Sequence, residues 1–194
     1  MNISMTEEKA AETADSILEL YEDYGGEEYA GEKISQLEHM VQVANLAEIQ
    51  GYDDEVVLAA FLHDIGHLCQ DKLGINEMGG FGIMDHEAIG SQYLNDLGFS
   101  PKIVQLVASH VAAKRYLTYK DSAYFANLSD ASKKTLEYQG GKMSNHEAEI
   151  FEKSPLFDLI IQMRKWDEQA KVENQPIPNL EHYRNLIEVH LLSR

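Results

Sequence analysis

The chain has 194 residues, 44% of them hydrophobic, which suits one domain with a single sizeable core. A formal net charge of −17 argues against a nucleic-acid surface, which needs a basic stripe, but leaves open an anionic small substrate. No apolar run approaches membrane-spanning length, Met1–Glu8 lacks the basic and apolar regions of a signal peptide, and the single Cys69 suits a reducing cytoplasm.

In chain order, Thr6 ahead of Glu7 and Glu8 opens a helix over about 6–24. Its Ala10, Ala14, Ile17, Leu18 and Tyr21 share one face, and Gly25-Gly26 closes it. Around His39, the residues Leu37, Met40, Val41, Ala44 and Ala47 recur at helical spacing up to a stop at Gly51. Asp53 caps the next helix, whose almost wholly apolar stretch Val56–Leu62 runs into His63-Asp64-Ile65-Gly66-His67. The Gly-rich stretch from Gly74 to Gly82 reads as a long irregular loop leading to His86, which starts a helix reaching Gly98. Ser100-Pro101 is an N-cap and first-turn pair for the helix of His110, and Ser154-Pro155 reads the same way for the helix of Arg164 and Asp167. Ser144 and Glu147 form a capping box, and Asn179 begins a last helix over about 179–193 with Leu180, Tyr183, Leu186, Ile187 and His190 as its buried stripe. Nothing reads as a strand. The expectation is one all-α helical bundle over residues 1–194, with its functional core over about 27–170.

His63-Asp64 ends a buried helix, where an unpaired carboxylate costs several kcal/mol or titrates away. A hydrogen-bonded pair joining two helices would remove the difficulty, and so would a metal ion. His39, His86, His110 and Asp167 each lie on a different helix or helix end, among apolar neighbours. Together the six residues are too many ligands for one tetrahedral site, and they suit two octahedral ions bridged by a carboxylate. Cys69 follows His67 closely but reads as a small buried thiol.

The order His39, His63-Asp64, His86, His110, Asp167 resembles the HD-domain superfamily in its two-metal form. Most members are phosphohydrolases acting on nucleotides; a smaller branch are mixed-valent di-iron oxygenases, comprising myo-inositol oxygenase and the PhnZ- and TmpB-type enzymes that cleave organophosphonates. The ligand order alone does not separate the two. Glu28-Tyr29-Ala30-Gly31-Glu32, just ahead of His39, resembles the segment that PhnZ-type enzymes place over the iron site. There the tyrosine occupies a metal position until substrate displaces it, and the glutamate moves on substrate binding. Read from the residues alone, Tyr29 is equally a core aromatic and Glu32 a solvated charge.

A second group suggests an anion pocket. Lys114 shares a helix face with His110, Arg164 with Asp167, and His67 with His63 if the helical path survives Gly66. Ser132 and Thr135 add hydroxyls at helical spacing, whereas Lys133 and Lys134 read as solvated charge. Converging guanidinium, ammonium and hydroxyl donors make charge-assisted hydrogen bonds to a tetrahedral oxyanion. PhnZ-type enzymes grip the phosphonate with residues at matching positions.

The resemblance therefore implies an oxygenase with two iron ions, Fe(II)/Fe(III), and O2 as co-substrate. One iron would be held by His39, His63, Asp64 and Asp167, the other by His86 and His110 with Asp64 shared. Tyr29, Glu32 and His67 would act at the reacting centre, and His67, Lys114, Ser132, Thr135 and Arg164 would bind the phosphonate. The implied substrate is a small anionic 1-hydroxyphosphonate, 1-hydroxy-2-aminoethylphosphonate or its trimethylammonium analogue, giving phosphate and glycine or glycine betaine. The alternative is a dinuclear phosphohydrolase acting on a phosphate ester or nucleotide. A regulatory module descended from the same fold is a weaker third reading, since it has no need to keep six ligands.

Overall fold

The computed structural model describes residues 5–29, 31–69, 78–79 and 82–194. Most of the glycine-rich stretch expected as a loop after Gly74 lies outside the described residues. The described chain is helical, and an isolated antiparallel bridge joins Glu28 and Ser35.

The helices begin where local chemistry satisfies their orphan N–H groups. Helix α1 (Glu7–Tyr24) is capped by Thr6, whose side chain accepts from the Lys9 N–H at 3.2 Å. Helix α2 (Gln36–Ile49) opens on a reciprocal capping box, Ser35 N–H to Glu38 at 2.7 Å and Glu38 N–H to Ser35 at 3.2 Å. Asp53 caps α3 (Asp54–Leu62), which is followed by a 3-10 turn at Ile65–His67. Then come α4 (His86–Asp96) and α5 (Pro101–Lys120), the latter capped by Ser100 with Pro101 in its first turn. Two short helices follow, α6 (Ser122–Asn127) and α7 (Asp130–Tyr138), and then α8 (Asn145–Phe151), which carries the Ser144–Glu147 capping box. Helices α9 (Phe157–Gln169) and α10 (Glu181–Leu192) complete the order.

Several boundaries differ from the sequence reading. Ser154-Pro155 makes a turn ahead of α9 and does not open it: the Ser154 hydroxyl accepts from Leu156 N–H at 3.3 Å, and the helix starts at Phe157. Asn179 likewise stands two residues before α10 and accepts from Glu181 N–H at 2.9 Å. The α-helical path does not survive to His67. It ends at Leu62, and the tighter 3-10 turn carries the chain onward.

Helix α3 is buried all round from Val56 to Leu62, and α1, α2, α5 and α10 pack near it. The Phe61 ring lies between two others, stacked on Tyr21 at 4.5 Å and on Tyr183 at 4.1 Å, so α1, α3 and α10 share one aromatic column. The Tyr21 hydroxyl donates to the Phe61 carbonyl at 2.6 Å, satisfying a carbonyl in the last turn of α3 that has no helical partner. This column fixes the end of α3, and with it His63 and Asp64.

The 3-10 turn is pressed against α4. A Cβ at Gly66 would lie 1.9 Å from the His86 carbonyl oxygen, and one at Gly90 would lie 3.0 Å from Gly66 N. Two glycines thus let the backbone bearing Asp64 approach the backbone bearing His86. Gly66→Ala is expected to force the two apart, costing about 1–3 kcal/mol as overpacking does, while Gly26→Ala, with nothing within 4 Å of the added methyl, stays near wild type. Urea unfolding midpoints of the two variants check this.

Candidate metal centre and anion pocket

Asp64 sits where α3 gives way to the 3-10 turn, and four imidazoles surround its carboxylate. Its Oδ2 faces His63 Nε2 at 3.2 Å and His39 Nε2 at 3.7 Å; its Oδ1 faces His110 Nε2 at 3.1 Å and His86 Nε2 at 3.3 Å. The two oxygens thus divide four rings into two pairs. Within the pairs, His39 Nε2 and His63 Nε2 are 3.2 Å apart, and His86 Nε2 and His110 Nε2 are 2.9 Å apart.

The Nδ1 atoms decide what those contacts mean. His39 Nδ1 lies 2.8 Å from the Ala170 carbonyl, His63 Nδ1 2.8 Å from Ala60, His86 Nδ1 3.1 Å from Ile83 and His110 Nδ1 2.8 Å from Val107. A carbonyl only accepts, so each neutral ring donates from Nδ1 and keeps a lone pair on Nε2. Lone pairs facing each other at about 3 Å repel unless a proton or a metal ion lies between them. That separation is what two adjacent ligands about 2.1 Å from one ion would show. Carbonyl partners on the distal nitrogens are also how metal-bound imidazoles are oriented. The donor set fits two ions sharing Asp64.

Asp167 joins the His39–His63 side, with Oδ1 at 3.4 Å from His39 Nε2. His39, His63 and Asp167 therefore form one compact buried trio. Burial opposes ionisation of Asp167, but Arg164 and His39 outweigh it and hold the carboxyl well below the usual range. Asp64 is held down in the same way by His63, His110 and His86. Burial works against a charged His63 ring, yet the Asp64 carboxylate beside it carries it up to about 9. These buried carboxylates attract cations in any form.

His67 lies close enough to Asp64 and His86 to share an ion, but its chemistry differs. Its Nδ1 accepts from Ile83 N–H at 3.1 Å, and burial, then the neighbouring His86, pushes its pKa well below the ordinary histidine value. The ring is neutral with Nε2 as donor, stacked on His86 at 4.0 Å. Gly82, at φ 97°, makes room for it: a Cβ there would lie 2.6 Å from the His67 ring. This is the polarity of an anion donor, in keeping with a substrate-binding reading.

A cavity of about 440 Å³, counting the solvent space at its opening, touches Asp64, His86, His110 and Asp167 and continues past His67, Lys114, Ser132, Thr135 and Arg164. The structure therefore gathers the expected anion donors beside the expected ligands. Lys114 is buried, donates to Thr135 Oγ1 at 2.9 Å, and is lowered to about 7 by burial, with Arg164 adding to the effect. An anion in the cavity would supply the counter-charge this ammonium lacks. Arg164 departs from expectation. Its donors go to Asp167, to Glu168 and to the Tyr124 hydroxyl at 3.0 Å, so it holds Asp167 in place as well as lining the cavity. Lys133 and Lys134 bond to the Ala126 carbonyl and to Glu137, away from the site.

Tyr29 and Glu32 are joined by a tight turn, with Glu32 N–H donating to the Tyr29 carbonyl at 2.7 Å through Gly31 at φ 78°. The Tyr29 ring stacks on His39 at 3.8 Å, and its hydroxyl lies 3.4 Å from Asp167 Oδ1. Burial, then the Asp167 charge, raises the phenol well above its ordinary value. Two polar cavity residues were missed in the sequence. Gln139 has a buried Oε1 with no hydrogen-bond partner, and Lys171 reaches Glu32 Oε1 at 2.9 Å. Lys171 follows Asp167 by four, the same interval that singled out Lys114 after His110, but α9 ends at Gln169, so the helical rule gives no reason to place it.

The HD-domain family model matches residues 37–154. The chain belongs to the HD-domain family. It is 44% identical over 180 residues to an uncharacterised protein of Acanthamoeba polyphaga mimivirus, covering 93% of this chain and 82% of that one. It is 37% identical over 179 residues to a hydroxymethylphosphonate dioxygenase of Gimesia maris, covering 91% and 87%. It is also 37% identical over 174 residues to a [1-hydroxy-2-(trimethylamino)ethyl]phosphonate dioxygenase (glycine-betaine-forming) of Leisingera caerulea, covering 87% and 85%. Within the HD domains, its place is with the PhnZ- and TmpB-type dioxygenases.

Two substitutions separate metal from anion binding. Asp64→Ala, by deleting the carboxylate shared between both ring pairs, is expected to leave well under one ion per chain by elemental analysis. Lys114→Met keeps the stem of the side chain and should retain both ions. It should weaken binding of a phosphonate inhibitor by about 2–5 kcal/mol, as removal of a buried charge partner does, measurable by titration calorimetry.

Proposed function

We propose that this chain is an Fe- and O2-dependent oxygenase that cleaves the carbon–phosphorus bond of a 1-hydroxyphosphonate. The overall change balances as R–CH(OH)–PO3H2 + O2 → R–COOH + H3PO4: the C–P and C–H bonds break, the carbon is oxidised by four electrons and dioxygen takes them up. The arrangement around Asp64 supports this reading most directly, because one carboxylate with its two oxygens turned to two histidine pairs suits a bridged pair of ions. His39, His63 and Asp167 would hold one iron, His86 and His110 the other, and Asp64 both. Such a centre supplies activation of dioxygen and binding of the substrate hydroxyl when loaded.

The chain's own residues do the rest. Lys114, with Thr135 beside it, offers an ammonium to the phosphonate, and His67, lining the same cavity, offers a neutral N–H. Arg164 fixes Asp167 and adds positive potential to the same cavity. The Tyr29 hydroxyl, against Asp167 and over His39, covers the first ring pair where an incoming substrate must displace it. A dedicated covering phenol has more use in an oxygenase, which must keep the resting centre from unproductive oxidation, than in a hydrolase. Both named dioxygenase relatives add support, and a reducing cytoplasmic setting accords with the single, buried Cys69.

The test is phosphate release from hydroxymethylphosphonate by iron-loaded protein, with and without oxygen. The expected result is equal amounts of phosphate and formate, one O2 consumed for each, and neither product under argon. Oxygen-independent phosphate release from a phosphate ester, with no turnover of the phosphonate, would replace this reading with a dinuclear phosphohydrolase.

A further inference from the structure

The cavity has two unlike ends. The metal-facing side chains are almost completely buried, whereas Lys171 and Glu32 are 17% and 21% exposed, and Glu32 also borders an open surface groove beside Lys33 and Ile34. These two charges therefore stand at the solvent end of the cavity. A phosphonate lying against Lys114 and His67, with its hydroxyl-bearing carbon toward the ring pairs, would direct its remaining substituent to this end.

We propose that the Glu32–Lys171 ion pair sets the specificity of the site, selecting 1-hydroxyphosphonates whose remaining substituent carries no positive charge. This rests on the reading given under Proposed function and narrows its substrate. An ammonium or trimethylammonium tail needs an uncommitted carboxylate or open aromatic faces. Glu32 Oε1 is already 2.9 Å from the Lys171 ammonium, which Ser132 Oγ at 3.4 Å and Ser129 Oγ at 3.5 Å flank. A cationic tail must push Lys171 aside to reach Glu32. The next acid within its reach, Glu168 at 4.0 Å, is committed to Arg164. The tail would thus compete with the displaced Lys171 ammonium for the same carboxylate, and two like charges crowded into a partly dehydrated space repel strongly. One face of the Tyr29 ring is already taken, since it is stacked on His39. A hydrogen, an alkyl or a hydroxyalkyl substituent asks for no such displacement. The family resemblance implied an aminated tail; the ion pair favours an uncharged one.

The experiment measures kcat/KM of the iron-loaded full chain under air for three probes: hydroxymethylphosphonate, 1-hydroxyethylphosphonate and [1-hydroxy-2-(trimethylamino)ethyl]phosphonate. Wild type should prefer the two uncharged probes over the cationic one by 100-fold or more. Lys171→Met, which frees Glu32, should shift that ratio at least 10-fold toward the cationic probe, and Lys171→Gln serves the same purpose if the first variant folds poorly. Glu32→Gln, which leaves Lys171 unopposed, should shift it the other way. A wild-type preference for the cationic probe, or an unchanged ratio in the folded Lys171 variant, overturns this inference while leaving C–P oxygenation standing. Turnover of none of the three overturns the oxygenase reading itself, and this inference with it.

Discussion

Four imidazole lone pairs converge on one buried carboxylate, and the rest of the structure is arranged to hold them there. Three rings are anchored within their own segment, each donating from Nδ1 to the carbonyl three residues back: His63 to Ala60, His86 to Ile83 and His110 to Val107. His39 instead donates to Ala170, just past the end of α9, so the ring that completes the first pair also ties α2 to the segment leaving α9. Without metal ions the facing nitrogens must be separated by protons, as on His63, and the two carboxylates have only imidazoles and one arginine to balance them. Ion binding removes that cost, so metal loading and folding stability are coupled through this one cluster.

The local field runs opposite to the global one. A chain of net charge −17 places Lys114, Arg164 and Lys171 on a single small cavity. Each cation is controlled differently. Arg164 is committed to Asp167 and Glu168, Lys171 to Glu32, and Lys114 has only a hydroxyl. The uncommitted one is the most buried of the two lysines and the one whose charge burial most weakens, so it gains most from an arriving anion. The acidic exterior therefore says little about what the interior takes up.

Much of this was legible in the sequence, for identifiable reasons. His63-Asp64 after seven buried apolar residues is a local conflict that only a partner resolves, and helical spacing marked the inward placement of His39, His86 and His110. Caps such as Thr6, Asp53, Ser100 and Ser144 are likewise local, and the structure places them as read. What escaped was set by contacts distant in the chain. The stacking of Tyr29 on His39, the engagement of Arg164 by Tyr124 and the reach of Lys171 to Glu32 join residues on separate segments. The 3-10 turn at Ile65–His67 escaped because the close approach demanding it, Gly66 on the His86 carbonyl, involves α4.

The division between these two classes of residue has a functional consequence. The family model spans residues 37–154, which takes in Asp64 and the four histidines around it, as well as His67, Lys114, Ser132 and Thr135. Tyr29 and Glu32 lie before it; Arg164, Asp167 and Lys171 lie after it. The two flanking segments meet over the same cavity, at Tyr29–Asp167 and at Glu32–Lys171. Under the proposed function, the helical core that would hold the ions and the oxyanion can stay fixed while these flanks change the cover over the centre and the charge at its solvent end. Helices held by packing on both sides tolerate little movement, whereas a turn and the exit of a helix absorb substitutions at lower cost. Under the proposed function, discrimination between phosphonates would be left to the few side chains that the flanks bring to the substrate's far end.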